Sequence, residues 1–338
     1  MTVDVDYHDG EDGGEQLHVL DLPQLYTKPS AEALIDTLAL LSYQPFSWDS
    51  KIGAARLTTK QVNPEGVTKY LTSIIASQLA WIKDEETKEQ IWELASVRLC
   101  ERSGRTAMPA VTRSFTIPTN NGGSEAEIVL YEPSLTADNL GFKTWASSFL
   151  LSKRLHLLDI IAKDAQQAGP ILELGAGTGL VGMAAATVWG AHVHLTDLPE
   201  IVENLSRNAE TNRARIAEHG GSVSTGVLDW THYSGVEGVP STGRYSIILA
   251  ADPIYSPDHP RLFVQTVRAW LSTDKNARVV VELPFRDAYA PQIQELKDRL
   301  ADIGLGLKDQ GEEVGYDDWG GRDGRPAEVR CWWGVWGW

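Results

Sequence analysis

The chain has 338 residues, 42% of them hydrophobic, enough for one large domain or two, and a net charge of −16 from 30 Lys and Arg against 46 Asp and Glu. That charge repels polyanions, so duplex nucleic acid and anionic lipid are poor partners while a basic protein is a good one. Two distant cysteines, Cys100 and Cys331, without a CxxC pair, exclude a disulfide scaffold and a zinc site and suit a reducing cytoplasm or nucleus.

Residues 1–16, MTVDVDYHDGEDGGEQ, carry six acidic side chains and no Lys or Arg, the opposite of a targeting peptide, and read as an acidic disordered tail. Residues 17–110 form an accessory, mainly helical region. Its first part is mixed, but from Val67 to Arg102 the residues Tyr70, Ile74, Ile75, Leu79, Ile82, Ile91, Leu94 and Val97 recur near a 3.6 period. RSFTIP and AEIVLYEP then read as two strands around the turn-former run TNNGGSE, a hairpin over 111–133.

From about Asn139 helices and strands alternate. A helix over Phe142–Ala165 precedes a strand at Ile171–Leu174, a helix at Leu180–Trp189 and a strand at His192–Thr196. A helix at Pro199–His219 follows, then strands at Ser222–Leu228 and Tyr245–Ala250, a helix at Pro260–Leu271 and a strand at Arg278–Leu283. Such alternation means a parallel sheet covered on both faces. A helix at Pro291–Ile303 leads to strands near Leu305–Glu313 and Val329–Val335. GYDDWGGRDGRP between them is too short for a crossover, so this pair is antiparallel. The apolar run Gly179–Leu195 is too short to span a bilayer as a helix, so no membrane partner is expected. His192 and His194 alternate along a strand without further ligands, and are ordinary strand positions rather than metal ligands. Asn204, Asn208 and Asn212, at i, i+4 and i+8, read as a solvated helix face.

The first glycine turn, ILELGAGTGLVGM, is where an open α/β sheet holds its ligand. No Lys follows the glycines, which excludes a P-loop. The third glycine comes one residue too early for a dinucleotide turn, and Glu173 stands at the strand end, where it would point at the ligand. A carboxylate there repels a pyrophosphate and attracts a cation. S-adenosylmethionine has a cationic amine and a sulfonium, and no phosphate.

ELGAGTGLVG followed by LTDLPEIVENLSRNAETN resembles the class I S-adenosylmethionine-dependent methyltransferases, specifically the seven-β-strand protein-lysine methyltransferase family with a DxxY motif, fungal members with an N-terminal extension included. The resemblance covers roughly residues 111–338. It implies an α/β fold: a Rossmann-like, doubly wound, mostly parallel seven-stranded sheet with an antiparallel last strand, plus an N-terminal helical and hairpin region, the cofactor core spanning 139–285. It implies that Glu173, Gly175, Ala176, Gly177, Thr178 and Gly179 hold the methionine part of the cofactor, and that Asp197, with Leu198 beside it, binds the ribose hydroxyls. Asp229 would accept from the adenine amine, Trp230 would pack on the ring, and Trp145 in GFKTW would cover the cofactor; Ala250 completes the contacts.

YSIILAADPIY ends a strand in Asp252, Pro253, Ile254 and Tyr255, the family's DxxY motif, so Asp252 orients the substrate amine and Tyr255 walls its channel. DPIY also resembles the [DN]PP[YF] motif of amide and base methyltransferases, but Ile254 replaces the second proline and no basic groove flanks it. The expected enzyme is a protein-lysine N-methyltransferase acting on a folded protein; the resemblance, which extends to relatives acting on elongation factor 2, makes a translation factor the leading substrate. A cytoplasmic monomer is expected. The alternatives are a small-molecule N- or O-methyltransferase and a non-catalytic S-adenosylmethionine-binding regulator. The C-terminal RCWWGVWGW alternates Cys331, Trp333 and Val335 against Trp332 and Trp336, a strand either buried on both faces or lying at a covered edge.

Overall fold

The computed structural model describes residues 17–42, 62–102, 110–120, 124–134, 140–160, 169–232, 245–317 and 327–338. The tail over 1–16, the centre of the hairpin turn and most of the GYDDWGGRDGRP loop lie outside them. The chain divides into two compact units, Met1–Met108 and Pro109–Trp338.

In the first unit, helices α1 (Ala31–Leu40), α2 (Val67–Ala76) and α3 (Glu85–Cys100) bury Leu34, Leu38, Leu71, Ile74, Leu79, Ile91 and Ala95 against one another. α1 lies in the stretch that sequence left mixed. The single periodic run Val67–Arg102 is two helices. α2 stops at Ser77, whose backbone is extended, and Leu79 takes a positive φ of 46°. α3 starts afresh at Asp84, whose carboxylate accepts from the Thr87 N–H as an N-cap.

The second unit opens with the hairpin β1 (Val111–Pro118) and β2 (Glu125–Glu132), paired from Val111↔Glu132 to Pro118↔Glu125. Helix α4 (Ala146–Arg154) is shorter than the helix read over Phe142–Ala165: Trp145 is its extended N-cap and a 3-10 turn at Leu155–Leu157 ends in extended Leu158. Residues 161–165 are outside the described part. There follow β3 (Ile171–Leu174), α5 (Leu180–Trp189), β4 (His192–Asp197), α6 (Pro199–Glu218), β5 (Ser222–Val227), β6 (Ile247–Ala251), α7 (His259–Trp270), β7 (Arg278–Pro284), α8 (Ala290–Asp302), β8 (Gly306–Asp317) and β9 (Ala327–Gly337).

The seven strands β3–β9 order as β5-β4-β3-β6-β7-β9-β8, with β9 antiparallel to both neighbours and slotted between them. This is the Rossmann-like sheet expected from sequence. Strands buried on both faces must be apolar throughout. Accordingly Val279, Val281, Leu283, Trp332 and Trp336 pack under α7 and α8 with Phe263, Val267, Leu296 and Leu300, while Cys331, Trp333 and Val335 are buried on the opposite face.

The Asn204–Asn208–Asn212 stripe is not a solvated face. It is buried against β2: Asn208 Oδ1 accepts from the Tyr131 N–H at 2.9 Å and Asn212 Oδ1 from the Val129 N–H at 2.9 Å, while their Nδ2 groups donate to the same residues' carbonyls. Asn204 Nδ2 also donates to the Tyr131 carbonyl. An edge strand has orphan backbone groups, and carboxamides supply both a donor and an acceptor to satisfy them. Glu132, at the end of β2, accepts from the Thr144 N–H and pairs with Arg113 at 3.2 Å and Lys143 at 3.5 Å, which locks the hairpin to the segment before α4.

Candidate active site

The chain leaves β3 for β4 and β5 on one side and returns to β6 on the other, so the crevice beyond β3 and β6 is the switch point. An open cleft lies there, lined by Gly175 after β3, Asp197 and Leu198 after β4, Leu228, Asp229, Trp230 and Thr231 after β5, Tyr255 after β6, and His259 and Leu262 of α7.

The glycines of the turn after β3, of which Gly175 lines the cleft, are required by geometry. Gly175, Gly177 and Gly179 all have positive φ, at 68°, 55° and 90°. A Cβ on Gly179 would also lie 2.7 Å from Leu205, and one on Gly177 3.1 Å from the Gly141 carbonyl. The turn is tied to β4: Asp197 Oδ2 accepts from the Gly177 N–H at 2.7 Å and Ala176 donates to the Thr196 carbonyl at 3.0 Å. Asp197 Oδ1 accepts from the Leu198 N–H at 2.7 Å. Burial nevertheless pushes the Asp197 carboxyl up to about 6.

Glu173 does not point into the cleft as expected. It is buried, Oε2 accepting from the Gly182 N–H at 2.9 Å, where a Cβ on residue 182 would collide with it. Its pKa is raised well above the usual range, by burial first and then by the charge of Asp197. The acid caps the start of α5, as carboxylates favour helix N-termini, and shapes the turn from behind. Thr178 is also turned away, its hydroxyl 2.8 Å from that of Thr144. Ala250 has its side chain in the α7–α8 core, not in the cleft.

Trp230 stands edge-on to His259 and Phe263, at 5.8 and 5.6 Å between ring centroids, and a Cβ on Gly175 would lie 3.3 Å from it. Asp229, half-buried, accepts from the Thr231 hydroxyl and N–H, which holds its carboxyl below the usual range. Burial lowers the pKa of His259, whose Nδ1 lies 3.1 Å from the Pro253 carbonyl.

Asp252 follows β6 in the left-handed region, φ 51°, its N–H donating to the Glu282 carbonyl at 2.8 Å. Sequence reasoning missed its partner, Arg286, which meets both carboxylate oxygens, Nη1 to Oδ1 at 3.0 Å and Nη2 to Oδ2 at 2.6 Å. Burial outweighs that guanidinium and pushes the Asp252 carboxyl up to about 6. The signal available was position: Arg286 lies two residues past the end of β7, beside β6. Trp145 is not a cleft-lining residue but stands here, its ring centroid 5.8 Å from the Arg286 guanidinium and its Nε1 donating to the Leu140 carbonyl. Tyr255 is edge-on to His259 at 4.2 Å; although the residue as a whole is 45% exposed, its phenol is pushed up to about 12 by burial and then by Asp197, Asp252 and Glu200.

The donor set tests which cofactor fits. No Lys or Arg lines the described cleft, and its floor carries Asp197 with Glu173 behind it. A phosphate would meet carboxylates unrelieved, whereas a cation relieves both. The residues present therefore suit S-adenosylmethionine.

A family model described as "Lysine methyltransferase" matches residues 126–290. "Protein-lysine N-methyltransferase rrg1" of Schizosaccharomyces pombe is 34% identical over 318 residues, covering 94% of this chain and 97% of that protein. "Protein-lysine N-methyltransferase EFM2" of Saccharomyces cerevisiae is 35% identical over 290 residues, 80% of this chain and 66% of that protein. Mouse "EEF1A lysine methyltransferase 3" is 37% identical over 93 residues, 27% of this chain and 36% of that protein. A glycine turn backed by carboxylates, a DxxY segment at the neighbouring strand end and a relative matched over nearly its whole length converge: this chain belongs to the S-adenosylmethionine-dependent protein-lysine N-methyltransferases.

Proposed function

We propose that the protein methylates a lysine ε-amine of a translation elongation factor, elongation factor 2 first, at the end of the cleft marked by Asp252. The observation that carries the site assignment is a buried carboxylate held in a strained left-handed backbone beside the cleft. Such strain persists where surrounding structure fixes it, and it gathers at functional positions. The name of the mouse relative supports the class of substrate, and the net charge of −16 suits a basic one by speeding encounter.

S-adenosylmethionine, when bound, supplies an electrophilic methyl on a sulfonium. Asp197 would accept the ribose hydroxyls on lone pairs left beside its two backbone donors, Asp229 the adenine amine, and Trp230 would pack on the base. The turn from Gly175 to Gly179 gives close backbone approach, with Glu173 fixing it from beneath. The substrate ammonium loses its proton to solvent before attack, because only the neutral amine has a lone pair. Asp252 then accepts an N–H and aims that lone pair, while Tyr255 and Trp145 exclude water.

The test is incubation of the purified protein with radiolabelled S-adenosylmethionine and a fungal extract, beside purified elongation factor 2 and an Asp252→Ala control. The expected result is one labelled protein band, recovered as methyl-lysine after hydrolysis, with the rate about 100-fold lower in the control and cofactor affinity unchanged. Label confined to small molecules, or full activity in the control, refutes the reading.

A further inference from the structure

The carboxylate that this reading assigns to the substrate amine is already paired with a cation. Arg286 grips both oxygens of Asp252, and its side chain is 35% exposed while that of Asp252 is 7% exposed. An isolated Asp252 carboxylate would be a strong ammonium trap. Trapping an ammonium lowers KM but works against the chemistry, since the opposite charge favours the protonated amine and withholds its lone pair. Electrostatics that bind the ground state more than the transition state do not speed the reaction.

We propose, resting on the lysine methyltransferase reading, that Arg286 is a positioning residue that keeps the Asp252 site charge-balanced, so that Asp252 serves as an acceptor for a neutral amine rather than as an ion-pair partner for an ammonium. The planar guanidinium suits this role because it is always charged and its fork fixes the carboxylate plane. The groups around Asp252 make it indispensable. Tyr255 sits in the same loop, Asp197 and Glu200 at the β4–α6 junction, Glu282 on β7, Cys331 on β9 and His259 at the start of α7. Among these described groups the ionisable ones are acids, apart from a histidine whose pKa is lowered by burial. Without Arg286 none of these described groups offsets Asp252, and the burial that already raises its pKa acts unopposed. One extra proton then enters the complex. It sits on Asp252, whose O–H points at the amine's lone pair, or on the amine itself; both forms are unreactive until that proton is lost.

The experiment compares wild type, Arg286→Gln and Arg286→Lys with bacterially expressed elongation factor 2 as probe, measuring kcat and KM between pH 6 and 10. For Arg286→Gln the acid limb of kcat moves up by about one pH unit, with kcat recovering toward wild type at high pH and KM no higher; one charge at this distance in a partly solvated site is worth that much. Arg286→Lys, which keeps the charge, keeps the wild-type limb. A loss uniform at every pH, or a KM increase with an unmoved limb, overturns the proposal and leaves Arg286 a structural clamp. A substrate-free measurement decides the same point if elongation factor 2 is not the substrate: the Asp252 carboxyl resonance, assigned with Asp252→Asn in carbon-13-labelled full-length protein, should titrate at least one pH unit higher in Arg286→Gln. An unchanged titration refutes the proposal. Failure of the wild type to label any protein lysine refutes the underlying reading instead.

Discussion

Glu282 is buried on β7 beside the Asp252 site, and its carboxyl faces that of Glu313. Burial raises its pKa well above the usual value, with the Glu313 charge adding and Arg154 only partly opposing. The folded chain therefore holds this proton more tightly than the unfolded chain does. Stability is highest below the unfolded pKa near 4.5 and falls as pH rises from there through the folded value, by about 1.4 kcal/mol for each pH unit of the window. Glu282→Gln, neutral at every pH and able to donate toward Glu313, should raise the unfolding temperature at pH 8 and change it little at pH 4.5. Parallel thermal melts at the two pH values check this; an equal effect at both shows that the residue's charge is not what costs stability. Neither Glu282 nor Arg286 belongs to a recognisable motif, and position past a strand end is the one hint that Arg286 carries. The segment VELPFRD reads as a strand end, and only the β6–β7 pairing that sets Ala251 opposite Glu282 brings it to Asp252. Asp252 and Tyr255 could be singled out in the sequence because they follow a strand end in a recognisable motif. Glu173 was legible in its place at the strand end but not in orientation, since strand alternation does not say which face the incoming helix will cover.

At the scale of elements, periodicity gives a face but not its neighbour. The asparagine stripe of α6 has the same spacing whether it meets water or the edge of β2, and the hairpin that decides the matter lies 83 residues away at the Asn212–Val129 bond. The Asn208 side chain makes three bonds, to the Tyr131 N–H and carbonyl and to the Thr178 carbonyl within the glycine turn. Asn208→Ala should cost about 2–3 kcal/mol by orphaning buried backbone groups, and should weaken cofactor binding because Thr178 loses its tether. Asn204→Ala, with one such bond to Tyr131, should cost less than half of that. Urea unfolding of both variants, with calorimetric titration of S-adenosylmethionine, tests the order; equal losses refute it. A charge argument at the same scale concerns Glu132. Glu132→Ala leaves Arg113 and Lys143 buried without their shared carboxylate, a loss of roughly 3–5 kcal/mol, whereas Glu132→Gln retains the acceptor for the Thr144 N–H and should cost less. The divided helix at Ser77–Asp84 was readable in principle: DEET carries an N-cap acid with acidic residues in the following turn, and the apolar period running across it masked that signal.

At the scale of the whole molecule, each unit has a buried apolar cluster of its own among the described residues, that of the first drawing on residues from Leu22 to Ala95 and that of the second on residues from Leu172 to Trp336. Every residue lining the cleft, together with Asp252 and Arg286, belongs to the second unit. A unit with a closed core unfolds as its own cooperative transition, and a site built from one unit needs only that unit to form. Residues 109–338 expressed alone should therefore bind S-adenosylmethionine with a Kd within about threefold of the full chain, well under 1.4 kcal/mol of difference. The first unit has a different claim on function. The alignment with the fission yeast relative covers 94% of this chain and so extends well into residues 17–102; a segment shared over that length but absent from the cleft is free to serve protein recognition. The expectation is thus a split result, in which the shortened chain keeps cofactor affinity and loses kcat/KM on the protein substrate by tenfold or more, about 1.4 kcal/mol. Cofactor affinity that falls with the truncation would mean that the first unit helps to hold the glycine turn in shape, and unimpaired methylation would remove it from substrate recognition altogether.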